Sequence, residues 1–277
     1  MTITAAQLDN FLSTLRDEEK SAATLERYGR DIRCFAQWLG DAPLTHDAVL
    51  NYKAHLTQHY AADSVNSILA ALNRFLSLLD REDCRVRRLR VQYQAYAPEE
   101  REITAQEYAA LVRTARETGR TRLALVLETI CATGIRISEL PAITAEAARR
   151  GVAVVRCKGK SRRVILPSRL QNKLLRYIKQ RRIACGSVFV TRTGTPLDRS
   201  NIWREMKALC RAAGVSDKKV FPHNFRHLFA RTFYRLDKDL AKLADLLGHS
   251  SINTTRIYIM STGQEHRRQL ERLRLLA

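Results

Sequence analysis

The first third of the chain carries apolar residues at helical spacing in four successive segments. One run spans residues 8–15, a second follows Ser21, a candidate cap, and ends at Gly40, and a weaker third spans residues 49–56. The fourth follows Asp63 and is an unbroken apolar stripe: Val65, Ile68, Leu69, Leu72, Leu76 and Leu79. Apolar residues at this period, separated by short polar joints, predict a compact four-helix domain over residues 1–84.

Beyond residue 100, helical periods alternate with one short strand pattern. Thr104 and Glu107 resemble a capping box, a helix over 121–131 ends near Gly134, and another helix can begin around Ile135. Alternating residues at 152–157 and 163–166 flank a basic turn at 158–161 and predict a β-hairpin. Further helices are expected at 168–183, 200–213, 223–235, 238–247 and 251–260. The chain is therefore expected to be mainly α with a small β-sheet, its second domain mixed α/β over residues 101–263.

Charge separates the same two regions. Of 48 Lys and Arg residues against 28 Asp and Glu, residues 1–98 hold 12 of each, so the whole excess of +20 lies beyond them. A basic stretch, 85–100, is the predicted linker between the domains. Because an uneven positive charge favours association with polyanions, nucleic acid is the expected partner.

Several protein classes are disfavoured. The longest apolar runs are far shorter than the roughly 20 residues of a membrane span, and no cationic start precedes an apolar stretch at the N-terminus. Six cysteines occur without a C-x-x-C pair, which is typical of reduced thiols. We expect a cytoplasmic protein without membrane contact.

Two pairs of residues suggest a site for a phosphate. Arg136 and Glu139 are three residues apart, so the carboxylate can hold the guanidinium in one orientation. His223 and Arg226 share the same spacing after Pro222. Two arginines that converge on a phosphodiester would bind its oxygens through charge-assisted hydrogen bonds and stabilise charge during displacement.

Tyr258 is the candidate nucleophile. A phenol has a pKa of about 10, and nearby cations favour its phenolate, so such a nucleophile needs cationic neighbours. His223 is the candidate acceptor of the phenolic proton, and His249 the candidate donor to a phosphate oxygen. Lys158, with Lys160 as the alternative, would protonate the departing sugar oxygen from the hairpin turn.

A metal site is not expected. His223 and His227 have the spacing of a two-histidine metal motif, but the central Glu of that motif is missing and the sequence offers no evident third ligand. The predicted chemistry uses no metal and no cofactor.

The ordered set of motifs closely resembles the tyrosine recombinase, or phage integrase, family. Four stretches carry the resemblance: ATGIRISEL at 132–140, CKGKSRRV at 157–164, PHNFRH at 222–227, and LLGHS at 246–250 with TTRIY at 254–258. The first domain is similar to the family's helical core-binding (SAM-like) domain, on Ser21, Thr24, Tyr28 and Asp31. The resemblance covers nearly the whole chain, favours Lys158 over Lys160, and suggests a two-domain, Xer-like member.

The resemblance implies that Tyr258 attacks a DNA phosphate, forms a 3′-phosphotyrosyl link and releases a 5′-hydroxyl, so that DNA is integrated, excised or resolved without a cofactor. The implied partners are a double-stranded recombination site and three further copies in a synaptic homotetramer, the free protein being a monomer. Two alternatives stay open: a type IB topoisomerase-like enzyme that relaxes DNA, and a catalytically silent DNA-binding regulator.

Further cations are candidates for DNA contact. They lie on the first domain and on the hairpin: Lys20, Arg27, Arg30, Arg33, Lys160 and Arg162. The amphipathic C-terminal tail, residues 264–277, either caps its own domain or, as the family resemblance favours, docks in trans on a neighbouring subunit.

Overall fold

A computed structural model describes residues 3–91, 102–157, 160–249 and 251–259, apart from the side chains of residues 157, 160 and 259. Two compact units are present, one within residues 1–93 and the other within residues 94–277. Lys158, most of the linker predicted at 85–100 and the C-terminal tail lie outside the described residues. The predicted domain limits, 1–84 and 101–263, therefore stay predictions.

The first unit contains the four predicted helices. They are α1 Ala5–Asp17, α2 Ala22–Leu39, α3 His46–His59 and α4 Ala62–Leu78, followed by a 3₁₀ turn, Glu82–Cys84. Thr4, Ser21 and Thr45 accept hydrogen bonds from main-chain N–H groups at the starts of α1, α2 and α3. The apolar stripes meet in one core, with Phe35 and Phe75 fully buried. The four-helix prediction is confirmed.

The second unit begins with α5 Ala105–Glu117 and α6 Thr121–Thr133, continues through α7 Ala145–Arg150, and then forms an antiparallel hairpin of β1 Val152–Cys157 and β2 Lys160–Ile165. It is completed by α8 Ser168–Arg181, α9 Arg199–Ala213, α10 Pro222–Asp237, α11 Leu240–Leu247 and α12 Ile252–Ile259. The predicted capping box of Thr104 and Glu107 is present. The fold class, mainly α with a small sheet, is confirmed.

The segment after Gly134 differs from the prediction. No α-helix begins around Ile135; a 3₁₀ helix runs over Ile137–Ala142 instead. Pro141 lies inside this segment and has no N–H to donate, so an α-helical hydrogen bond at that position is impossible. The helix α7 was not predicted, although Thr144 caps its start and Gly151 ends it in the left-handed conformation.

Two apolar clusters organise the second unit. The larger one joins α5, α6, α8 and α9 to the inner face of the hairpin. A smaller cluster joins α10, α11 and α12, and consists of Ala230, Leu243, Leu247 and the ring of Tyr258. The candidate nucleophile is thus packed against neighbouring helices. Among the described residues, no helix is both long and apolar enough to cross a bilayer.

Candidate active site

Gly134 brings the end of α6 into direct contact with α10 and α11. Its φ of +62° is left-handed, a conformation that glycine adopts without strain. A Cβ atom at this position would lie 2.5 Å from the Phe229 ring and 2.8 Å from a Leu247 methyl group. Only glycine fits at this turn, which lies two residues before Arg136.

Arg136 is held by Glu139, as the spacing predicted. The main-chain N–H of Arg136 donates to Oε2 of Glu139 over 2.8 Å, and its side-chain Nη1 donates to Oε1 over 3.1 Å. Burial alone would raise the pKa of Glu139, but the Arg136 N–H and the charges of Arg162 and Arg136 outweigh burial and lower this pKa. The Glu139 carboxylate is therefore a fixed anion that orients a partly exposed guanidinium.

Arg162 ties three segments together. From β2 its Nη2 donates to Oε2 of Glu139 over 2.7 Å, and its Nη1 donates to the carbonyl of Leu246 at the end of α11 over 2.8 Å. Its side chain is only 14% exposed. It lies so close to Gly248 that a Cβ there would be 2.4 Å from its Cδ. Arg162 was predicted as a DNA-binding candidate, but its contacts are those of an internal tie.

Arg226 is almost completely buried at 1% exposure. Its Nη1 donates to the carbonyl of Gly134, while its Nη2 donates to the Leu247 carbonyl over 2.8 Å and to Nε2 of His249 over 2.9 Å. Burial, and next the charge of Arg136, lowers the pKa of Arg226 to about 10. Main-chain acceptors from two segments thus fix this cation against the ring of His249.

The ring of Tyr258 lies next to three imidazole rings, those of His223, His227 and His249. Its hydroxyl oxygen is 3.0 Å from Nε2 of His223, within hydrogen-bond distance. The Tyr258 ring centroid is 5.0 Å from that of His249 and 5.6 Å from the Arg226 guanidinium carbon. Partial burial and the charge of Arg226 lower the pKa of His223, which keeps its ring neutral and able to accept a proton at neutral pH.

His227 contacts the aromatic ring of Tyr258. Its ring stacks on that of Tyr258 with centroids 4.2 Å apart and planes 17° from parallel. Burial, followed by repulsion from His223 once that ring is protonated and by the charge of Arg226, lowers the pKa of His227 to about 4. A neutral imidazole therefore covers one face of the candidate nucleophile.

Five of the six predicted catalytic residues come together in the second unit: Arg136, His223, Arg226, His249 and Tyr258. Lys158 lies outside the described residues, as does the side chain of Lys160. In the first unit Lys20, Arg27, Arg30 and Arg33 are exposed, the three arginines along one face of α2. Within the described part of the chain, no group of three side chains is arranged to hold a metal ion.

Comparison with known proteins gives the family. Residues 101–265 match the phage integrase family, and residues 8–83 match its N-terminal SAM-like domain. The chain belongs to the phage integrase family. The catalytic-domain match alone spans more than half of the chain and contains every residue of the cluster around Tyr258.

Relatives of this integrase-family chain cover nearly its full length. The tyrosine recombinase XerC of Roseiflexus castenholzii is 31% identical, over 91% of this chain and 88% of its own. The tyrosine recombinase XerD of Halalkalibacterium halodurans is 29% identical, over 85% of this chain and 86% of its own. A lambda integrase tetramer bound to a Holliday junction has the same fold, with a TM-score of 0.73 at 19% identity, over 91% of this chain and 76% of that chain.

Thr255 also belongs to the site, since its Oγ1 lies 2.8 Å from Nδ1 of His249. Three residues of the site were not given their roles from the sequence: Arg162, His227 and Thr255. His227 was considered only as a metal ligand. Arg162 shares a strand face with the buried Val164, two residues on, and this alternation indicates an inward side chain. Thr255 precedes Tyr258 by three residues and so lies on the same side of α12. The sequence contains these local signals, but the partners of Arg162, His227 and Thr255 lie in other elements of the fold.

Stability is expected to fall in mild acid because of His227 and His249. Burial, then nearby cationic groups, lowers the pKa of each from its ordinary 6.5 to about 4. The unfolded chain therefore binds more protons between these values, and the stabilisation present above pH 6.5 is lost as pH falls toward 4. After allowance for solvent screening, we expect urea unfolding to show a loss of roughly 1 to 3 kcal/mol over this range.

The variant His227→Gln should lose less stability over the same pH range, because one of the two titrating rings is gone. Urea unfolding at about pH 7 and about pH 5 measures the difference. An unchanged difference between the two pH values would contradict the prediction for His227.

Replacing Arg162 by Met should destabilise the protein by about 1 to 3 kcal/mol, because it removes hydrogen bonds to a buried carboxylate and to a carbonyl. Arg163→Met is the matched control, since the Arg163 side chain is exposed on the other strand face. The control should change stability by no more than about 0.5 kcal/mol in urea unfolding. Equal effects of the two substitutions would show that Arg162 is not an internal tie.

Proposed function

We propose that this chain is a site-specific DNA recombinase that cuts and rejoins DNA through a 3′-phosphotyrosyl intermediate. The observation that carries the proposal is the 3.0 Å contact between the Tyr258 hydroxyl and Nε2 of His223, inside a cluster that also contains Arg226 and His249. A hydroxyl next to a neutral base and a buried cation has what a nucleophile at phosphorus requires.

Cleavage proceeds by one displacement. The phenolic oxygen of Tyr258 bonds to phosphorus as its proton passes to His223, and the bond from phosphorus to the 5′ oxygen breaks. The departing oxygen takes a proton from Lys158, the role proposed for this residue. Joining is the reverse step, in which the 5′-hydroxyl of a partner strand attacks the phosphotyrosine. Since the covalent link conserves the phosphodiester energy, the cycle needs no nucleotide hydrolysis.

Arg136, Arg226 and His249 stabilise the charge that develops on the phosphate oxygens. Arg136 is partly exposed, and Glu139, which is itself bound by Arg162, holds it in place, so its remaining donors can face a phosphate. Arg226 and His249 donate to the same group once the phosphate replaces their contact with each other. Preorganised donors of this kind are a major source of rate enhancement in displacement reactions.

DNA binding involves both units in this proposal. The second unit carries the excess positive charge, and exposed Arg27, Arg30 and Arg33 on α2 provide phosphate contacts from the first unit. As the similar lambda integrase is a tetramer on a Holliday junction, we also propose a synaptic homotetramer with the tail in trans. A DNA substrate inside a cell makes the cytoplasm the proposed location.

The matched SAM-like domain and the recombinase relatives favour strand exchange over the two alternatives. A type IB topoisomerase-like enzyme would relax one supercoiled duplex without exchange. A catalytically silent regulator would bind DNA without a covalent adduct. The three functions therefore predict different DNA products.

The test begins with covalent trapping. The purified full chain is incubated with fragmented genomic DNA of the source organism, quenched with detergent, and the DNA that stays attached to protein is sequenced. Two duplexes with the recovered site are then incubated with fresh protein. Recombinant products support the proposal. Relaxation of a supercoiled plasmid without exchange would select the topoisomerase, and DNA binding without an adduct would select the regulator.

A further inference from the structure

Thr255 connects the nucleophile helix to His249. The residue is completely buried, and its Oγ1 lies 2.8 Å from Nδ1 of His249. It belongs to α12, three residues before Tyr258, so one short helix carries both the nucleophile and the partner of a phosphate-binding histidine. A buried hydroxyl needs a hydrogen-bond partner, and here that partner is the His249 ring.

The contacts of His249 determine where its proton lies in the absence of DNA. A guanidinium only donates, so the 2.9 Å contact with Arg226 makes Nε2 of His249 the acceptor. A neutral ring then carries its hydrogen on Nδ1 and donates it to Thr255. Burial and the charges of Arg226, Arg136 and Arg162 lower the pKa of His249 to about 4, in agreement with a neutral ring.

Phosphate binding requires the opposite arrangement. In the proposed function His249 donates from Nε2 to a phosphate oxygen, so a neutral ring must then accept at Nδ1. The Thr255 hydroxyl can serve both tautomers, because it accepts from Nδ1–H in one and donates to Nδ1 in the other. A methyl group at the same place would serve neither.

We propose that Thr255 is a positioning residue that keeps the His249 ring hydrogen-bonded in either tautomer, and so links docking of α12 to assembly of the phosphate site. This inference rests on the proposed function. It assigns Thr255 no contact with DNA and no proton transfer to the reacting atoms. Its whole effect passes through the ring of His249.

The first test compares four proteins in single-turnover cleavage of a nicked duplex that carries the recombination site: the unchanged chain, Thr255→Val, Thr255→Ser and Thr254→Val. At saturating DNA, Thr255→Val should cleave about 10- to 100-fold more slowly with unchanged DNA affinity, since it removes the hydroxyl but keeps the shape. Thr255→Ser should recover to within about 3-fold of the unchanged chain. Thr254→Val, at an exposed neighbouring position, should cleave normally.

The second test asks whether the effect passes through His249. In a His249→Gln background, adding Thr255→Val should lower the cleavage rate by no more than about 2-fold, because the effects of residues that act as one unit are not additive. If the two losses multiply, if Thr255→Val cleaves normally, or if Ser fails to restore cleavage, the inference is overturned.

A third measurement uses the unchanged chain and so does not depend on whether a Thr255 variant folds. Nitrogen NMR of the histidine-labelled full chain without DNA should show His249 protonated at Nδ1, the signal being assigned by its loss in His249→Gln. Protonation at Nε2 would overturn the inference. If the unchanged chain forms no adduct at all, the proposed function fails; normal cleavage with an unaffected Thr255→Val variant defeats only the role of Thr255.

Discussion

Replacing Tyr258 by Phe is expected to abolish the covalent adduct, with cleavage reduced by at least about 10³-fold, because no other group takes the place of the phenolic oxygen. The ring stays packed against His227 and the apolar residues of its cluster, so the fold and the charge are preserved. DNA affinity should therefore change by less than about 2-fold. Detergent-resistant adducts on nicked duplexes measure cleavage, and gel shifts measure binding.

Tyr234→Phe is the control for this experiment. Tyr234 packs against the same small cluster from α10 and has no contact with His223 among those described. Its loss of a hydroxyl should leave adduct formation unchanged. Should Tyr258→Phe still become attached to DNA, the nucleophile must be assigned to another residue.

The second large effect is expected for Arg226→Lys, which should slow cleavage by about 10²- to 10³-fold. Lysine keeps the positive charge but cannot reproduce the planar set of donors that contacts Gly134, Leu247 and His249. The loss should therefore appear in the single-turnover rate at saturating DNA and much less in DNA affinity. Thermal unfolding of the same samples confirms that the variant is folded at the assay temperature.

Arg231→Lys provides a matched substitution on the same helix. Arg231 pairs with Glu102 and donates to the Ile103 carbonyl. Cleavage by Arg231→Lys should stay within about 3-fold of the unchanged chain, since neither Glu102 nor Ile103 belongs to the cluster around Tyr258. An Arg226→Lys protein that cleaves as fast as Arg231→Lys would remove Arg226 from the proposed transition-state contacts.

The helices could be predicted where an apolar stripe continued for several turns. α2 and α4 have such stripes and also carry the Ser21 and Asp63 start signals. α7 is only six residues long and too short to show a helical period. The segment after Gly134 forms a 3₁₀ helix and not the predicted α-helix, because Pro141 inside it has no N–H to donate. Length and local hydrogen bonding therefore separate the elements that were predicted from those that were not.

The sequence was sufficient to predict which residues form the site, but often not which residues they contact. Arg136 with Glu139 is a local pair, so its spacing of three was sufficient to predict the contact. The partners of Arg162 lie 23 and 84 residues away along the chain, and no local pattern gives such distances. His227 and Thr255 likewise acquire their roles only when α10, α11 and α12 pack together.

Gly134 shows how strongly shape alone governs this chemistry. A single methyl group added there would push away the Phe229 ring and the Leu247 side chain. The carbonyl groups of Gly134 and Leu247 are both acceptors of Arg226, so the guanidinium would lose its alignment without any change to its own side chain. A natural variant with a larger residue at position 134 would thus be inactive because of a steric clash, although this position carries no side-chain functional group.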